Sequence, residues 1–155
     1  MKSQFWSAAL LFVTALFTFL VIACGKDKPV KIKLIIDNDI SGFFSIKPSP
    51  DGIQPLMEQG GAIVYTVKSY NETTSETGSF AKWHTLSALR QSGELVAVYP
   101  NEEPTDNRQV LYELSARSDG TIIFLIGSLA DKLMYESLSR PTTVDELNEM
   151  RKNGK

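Results

Sequence analysis

His84 is the single histidine of this 155-residue chain. By default it is the side chain that exchanges a proton near neutral pH, so a general base for hydrolysis would fall to it. Its neighbour Trp83 points instead to a packed, hydrogen-bonded imidazole. A glycosidase would need only two carboxylates, and 18 acidic residues offer many pairs, yet no spacing selects one. Gly-x-Ser-x-Gly and His-Glu-x-x-His do not occur, and a non-catalytic domain is therefore expected. Asp37-Asn38-Asp39-Ile40-Ser41-Gly42 reads as the first half of a calcium loop, with oxygen ligands at alternate positions and Gly where the bend is sharp. The twelfth position, where a bidentate carboxylate should close the loop, is Pro48. Asp37 and Asp39 are the metal-ligand candidates, and the favoured reading is a polar turn in which they cap the backbone.

Other chemistries are excluded by what the chain lacks. Cys24 is the only cysteine, so there is no internal disulfide and no Cys/His zinc site. Gly60-Gly61 lacks the spacings that cradle phosphates, and no cofactor is expected. Sixteen basic against 18 acidic residues, a formal charge of −2, argue against a nucleic-acid partner. Phe43, Phe44, Tyr65, Tyr70, Trp83 and Tyr99 offer stacking surface for a ligand, although most occupy inward-alternating positions that suit a core.

The elements that would carry these residues are mostly strands. Residues 30–37 alternate Ile32, Leu34 and Ile36 with Lys31 and Lys33, the period of a half-buried strand. Residues 42–47 predict a second strand, ended by Pro48-Ser49-Pro50-Asp51-Gly52, and 62–69 a third with Ile63, Tyr65 and Val67 inward. The polar stretch 71–79 predicts an exposed, mobile loop, and 80–89 is ambiguous between helix and strand. Residues 95–99 read as a short buried strand. Residues 109–116 and 121–127 flank Ser118-Asp119-Gly120 and predict a hairpin, whose second strand is apolar on both faces and should lie centrally.

Ser128 with Asp131 then predicts a helix with an apolar stripe of Leu129, Leu133 and Leu138. Pro141 ends it, and Thr143 with Glu146 caps a second helix carrying Leu147 and Met150. The expected fold is mainly β: a small antiparallel β-sandwich or barrel-like domain over residues 30–155, with one or two C-terminal helices.

The N-terminus differs from all of this. After Lys2, residues 3–23 carry no charge, and 5–23 form an apolar run broken only by Ser7, Thr14 and Thr18. Such a run is a secretion signal or a membrane span. It closes on Val21-Ile22-Ala23-Cys24, which resembles the lipobox of bacterial lipoproteins. That resemblance implies cleavage between Ala23 and Cys24 and acylation of the Cys24 thiol, with 1–23 as signal peptide and 24–29 as lipidated tether. Two or three acyl chains anchor stably where a single chain does not. The competing reading is an uncleaved signal anchor. Gly25 after the lipobox resembles the default signal for the outer membrane, facing the periplasm, in a host with two membranes.

The remainder, over about 32–140, resembles uncharacterised small lipoproteins with a β-rich domain of unknown function, through Ile40-Ser41-Gly42-Phe43-Phe44, Phe124-Leu125-Ile126-Gly127-Ser128 and Tyr135. The resemblance implies a fold and a cell-envelope location more than a reaction; the expected partner of the non-catalytic domain is an envelope protein or glycan. The basic end, Arg151, Lys152 and Lys155, offers at most a weak anionic-lipid contact.

Overall fold

Ile32, Leu34 and Ile36 drive the predicted first strand, β1 (Val30–Ile36), into the centre of a five-stranded sheet, and all three are buried. The computed structural model describes residues 28–102, 109–140 and 142–154. The signal peptide, Ala23 and Cys24 lie outside the described residues. β1 is flanked by β4 (Ala62–Val67) and β6 (His84–Arg90), and the short edge strands β3 (Leu56–Met57) and β7 (Leu95–Val96) complete the order β3-β4-β1-β6-β7. A second sheet has the order β5-β2-β9-β8, from β2 (Gly42–Ile53), β5 (Asn71–Thr74), β8 (Val110–Ala116) and β9 (Ile122–Gly127). The predicted mainly-β, sandwich-like class with two C-terminal helices is what is found, without a closed barrel.

The sheets are mixed rather than purely antiparallel. β1 runs parallel to both β4 and β6, with Val30 opposite His84 and Lys31 opposite Ala62, and β2 runs parallel to β5. The three parallel strands therefore begin at one end of the sheet. The hairpin β8–β9 forms as expected, with Gly120 at φ +82°, a left-handed conformation that glycine adopts without Cβ strain. β9 is central, and all six of its residues are buried.

Burial on both faces gives a three-layer domain. Between the sheets, Ile32, Leu34 and Ile36 meet Phe44, Ile46, Ile122, Phe124 and Ile126. On the other face of the second sheet, Phe43, Val110, Tyr112 and Leu125 pack under α1 (Leu129–Glu136) and α2 (Val144–Asn153). Both helices begin with the predicted capping boxes, Ser128 with Asp131 and Thr143 with Glu146, which satisfy backbone donors that a helix start leaves free. Among the described residues, both α-helices pack on the second sheet.

Several local expectations are overturned. Of the stripe predicted on α1, Leu129 and Leu133 are exposed, while Leu138, just past the helix end, packs as expected, together with Met134 and Tyr135. Residues 71–79 are not a loop with nothing to bury. Asn71–Thr74 is a strand, a 3₁₀ turn follows at Gly78–Ala81, and Glu72, Thr74, Thr77 and Ser79 are buried. The Glu72 carboxylate accepts from the Lys68 and Ser69 amides at 2.7 and 3.2 Å, so a polar strand satisfies its own turn. Pro48 and Pro50 do not end β2. Both fall beyond Ile46, the last residue paired to β9, and the register to β5 breaks after Pro48, so no ladder bond is asked of Pro50. In the segment read as a buried strand, Leu95 is exposed, and only Ala97 and Val98 are buried.

Asn148 ties α2 to the sheet. β5 joins β2 only from Ser45 onward, so the backbone of Phe43 is open on that edge. The Asn148 amide fills it: Oδ1 accepts from Phe43 N–H and Nδ2 donates to Phe43 O, both at 2.8 Å. We expect Asn148→Ala to cost about 1–2 kcal/mol, since each partly buried group left unpaired is destabilising. Asn148→Asp, which keeps the shape but sets a carboxylate against a carbonyl, should cost at least as much. Urea denaturation of the two variants checks this, and an unchanged midpoint in both would contradict it.

Candidate functional site

His84 is the first residue of β6, and period two sends its side chain, with Leu86 and Ala88, toward the facing sheet. On β8 the same period carries Leu111 and Glu113 inward. The register slips between Glu113 and Ser115, leaving Leu114 as an extra residue, so Leu114 packs under the helices while Glu113 keeps its aim at the first sheet. His84 Nε2 lies 2.8 Å from Glu113 Oε2, and Nδ1 lies 2.8 Å from the Lys82 carbonyl oxygen. The pair is partly screened, with side chains 14% and 27% exposed. Phe80 presents its ring edge-on to the imidazole at 5.7 Å.

Two acceptors face the two ring nitrogens. A carbonyl and a carboxylate have no proton to give, so the arrangement favours a ring that carries hydrogen on both nitrogens. The electrostatics agree. Burial disfavours the charged ring, but the Lys82 carbonyl and the Glu113 carboxylate outweigh it and raise the His84 pKa above the ordinary value. An imidazolium with both N–H groups committed has no lone pair with which to take a proton from a nucleophile.

His84 and Glu113 form one wall of a cleft of about 420 Å³ lined also by Leu86, Val98, Tyr99 and Asn101. The lining mixes apolar surface with a few polar groups, and its volume falls within the range of small-ligand sites. Tyr99 is held from behind by Tyr112, ring to ring at 5.6 Å, with Lys132 Nζ 5.7 Å from its centroid. Ser115, also at the cleft, has its hydroxyl engaged with Tyr135 Oη at 2.7 Å. It is not aligned on His84 as a nucleophile.

The other predicted site residues fall elsewhere. Asp37 and Asp39 occupy the turn between β1 and β2, where Asp37 Oδ1 accepts from the Asp39 amide at 3.2 Å and Tyr70 Oη donates to the Asp39 carbonyl. Asp37 thus caps the turn with its side chain, while Asp39 takes part through its backbone; among the described residues no group of three or more His, Cys, Asp or Glu side chains is gathered for a metal. Phe43, Phe44 and Tyr65 are core, while Tyr70 and Tyr99 line separate clefts and Trp83 stands exposed. The aromatics thus make no common ligand face. Of the basic end, Arg151 turns inward, its Nε 3.2 Å from Asp131 Oδ2 but out of hydrogen-bond alignment, and Lys152 pairs with Glu149. Lys155 lies outside the described residues.

Glu113 is the residue that sequence reasoning missed. It stands 29 positions from His84 in a strand read only as half of a hairpin. The one available signal was a charged residue amid the apolar positions of that strand. In comparisons with known proteins, no protein-family model, no curated protein and no solved structure matches the chain.

Proposed function

We propose that this chain is a lipid-anchored lipoprotein of the bacterial cell envelope whose β domain is a non-catalytic binding module. The observation that carries the reading is Cys24, the sole thiol, placed after Val21-Ile22-Ala23 where a charge-free apolar run gives way to Gly25-Lys26-Asp27-Lys28. The peptidase that this pattern suits needs a small residue beside the scissile bond, and the thiol must sit at the membrane surface to receive its diacylglycerol. Among the described residues no helix is long and apolar enough to cross a membrane. In a host with two membranes, Gly25 favours the outer membrane, facing the periplasm.

The non-catalytic part of the proposal is supported by the committed nitrogens of His84 and the engaged hydroxyl of Ser115. A hydrolase using His84 as general base would first have to break one of two 2.8 Å bonds. The cleft beside His84 is the proposed recognition surface, and an envelope protein or glycan the proposed partner.

Metabolic labelling with palmitate, followed by mass analysis of the N-terminal peptide, tests the anchor. Label should enter the chain, the peptide should begin at Cys24 with the mass of its acyl chains, and Cys24→Ala should abolish incorporation. Undiminished label in the variant sinks the assignment. An N-terminal peptide that still contains residues 1–23 would favour the uncleaved signal anchor.

A further inference from the structure

The end of the five-stranded sheet from which the tether emerges differs from the rest of the surface. Because β1, β4 and β6 are parallel and in register, their starts lie together, and the Val30 amide donates to the Trp83 carbonyl at 2.9 Å. Trp83 is 68% exposed, a large apolar ring left in water immediately beside the point where the chain leaves the domain. Lys28, Lys31 and Lys82 surround that point and are exposed. Among the described residues none of them is ion-paired, whereas Lys33 farther along β1 is bound to Glu58 at 2.7 Å. The nearby carboxylate of Glu113 is occupied by His84.

We propose that this end of the sheet, Trp83 with Lys28, Lys31 and Lys82, rests on an anionic lipid bilayer, Trp83 entering the headgroup region. The proposal rests on the lipid anchor argued above. Cys24 precedes Val30 by six residues, and a fully extended chain reaches at most about 3.3–3.6 Å per residue, so the anchor holds this end within roughly 20 Å of the acyl chains. Tryptophan favours the interface because its ring is apolar while its N–H remains in reach of water. Lysines at the surface are drawn to anionic headgroups. The basic residues of α2 do not compete, since Arg151 and Lys152 are already paired to acids.

Cleavage at Cys24 removes Trp6 and leaves Trp83 as the only tryptophan, so its fluorescence reports this one place. The acylated mature chain, incorporated in phosphatidylglycerol-containing vesicles with and without bromine on shallow acyl positions, should float with both. Trp83 emission should move to shorter wavelength and lose most of its intensity in the brominated vesicles. The triple variant Lys28→Glu/Lys31→Glu/Lys82→Glu, on exposed positions that leave the core untouched, should float equally and recover that intensity. Emission equal in brominated and plain vesicles, with flotation retained, overturns the docking while leaving the anchor standing. A chain that carries no acyl mass and does not float overturns the anchor and the docking with it.

Discussion

Phe124→Ala is expected to destabilise the domain by about 3–5 kcal/mol, the range for removing a fully buried aromatic, and to lower the melting temperature by roughly 10–20 °C. The size of the effect follows from where Phe124 sits. It is 0% exposed at the middle of β9, stacked on Phe44 at 5.2 Å and 14° between planes, and met edge-on by Phe80 at 5.6 Å. Phe80 in turn touches Tyr65 at 4.9 Å and His84 at 5.7 Å. One ring thus links β2 and β9 of one sheet to β4 of the other and to the wall of the His84 cleft. Its loss would leave a cavity where both sheets lose contacts, and the close packing of the interior prevents full collapse. Phe124→Leu, which keeps most of the volume, should cost under about 1.5 kcal/mol. Urea denaturation of both variants decides the matter: a cost below about 1 kcal/mol for Phe124→Ala would mean that the sheets are held together elsewhere.

Phe124 also marks what the amino-acid sequence discloses and what it hides. Its burial could be read directly, because an uninterrupted apolar run after a Ser-Asp-Gly turn suits only a central strand. The capping boxes at Ser128 and Thr143 were equally legible, since each is a local match of side chain to backbone within three residues. Strand pairing was not. β1 finds β4 and β6 across long connections, and nothing within β1 says whether its neighbours run parallel or antiparallel. The strand 71–74 was misread for a different reason: its polar residues looked unable to bury, yet Glu72 is satisfied by the amides of the turn before it. The exposed Leu129 and Leu133 show the limit of periodicity, which records an apolar stripe without recording whether anything covers it.

The candidate site was legible in halves. His84 stood out as the only histidine, and its role as a packed, hydrogen-bonded side chain could be expected from its type and neighbour. Its partner could not, because Glu113 reaches it only after two sheets have stacked and β8 has slipped by one residue. The role proposed for Cys24 needs no such assembly, since it rests on the four residues that end the apolar run. The Asp37 turn lies between these cases: the candidate oxygen ligands are visible in the sequence, and of the two aspartates expected to cap the backbone Asp37 does so with its side chain.

The His84–Glu113 pair should make stability fall as pH rises past neutrality, and Glu113→Gln should remove most of that dependence. A group whose folded pKa is raised contributes stability that is fully present below the unfolded value, about 6.5 for histidine. That contribution is lost as pH climbs through the folded value. The direction here is upward, because the Lys82 and Glu113 acceptors prevail over burial. Glu113→Gln keeps an acceptor oxygen but removes the charge, so burial gains weight and the histidine pKa should fall. A hydrogen bond to a charged group contributes about 1.5–3 kcal/mol, and the variant should lose on that order at pH 6 while differing much less from the parent at pH 9. With one histidine in the chain, a single imidazole resonance reports the titration. Its midpoint should lie above 6.5 in the parent and drop in the variant. A parent midpoint at or below 6.5 would mean that burial outweighs the two acceptors, and would restore His84 as a candidate base.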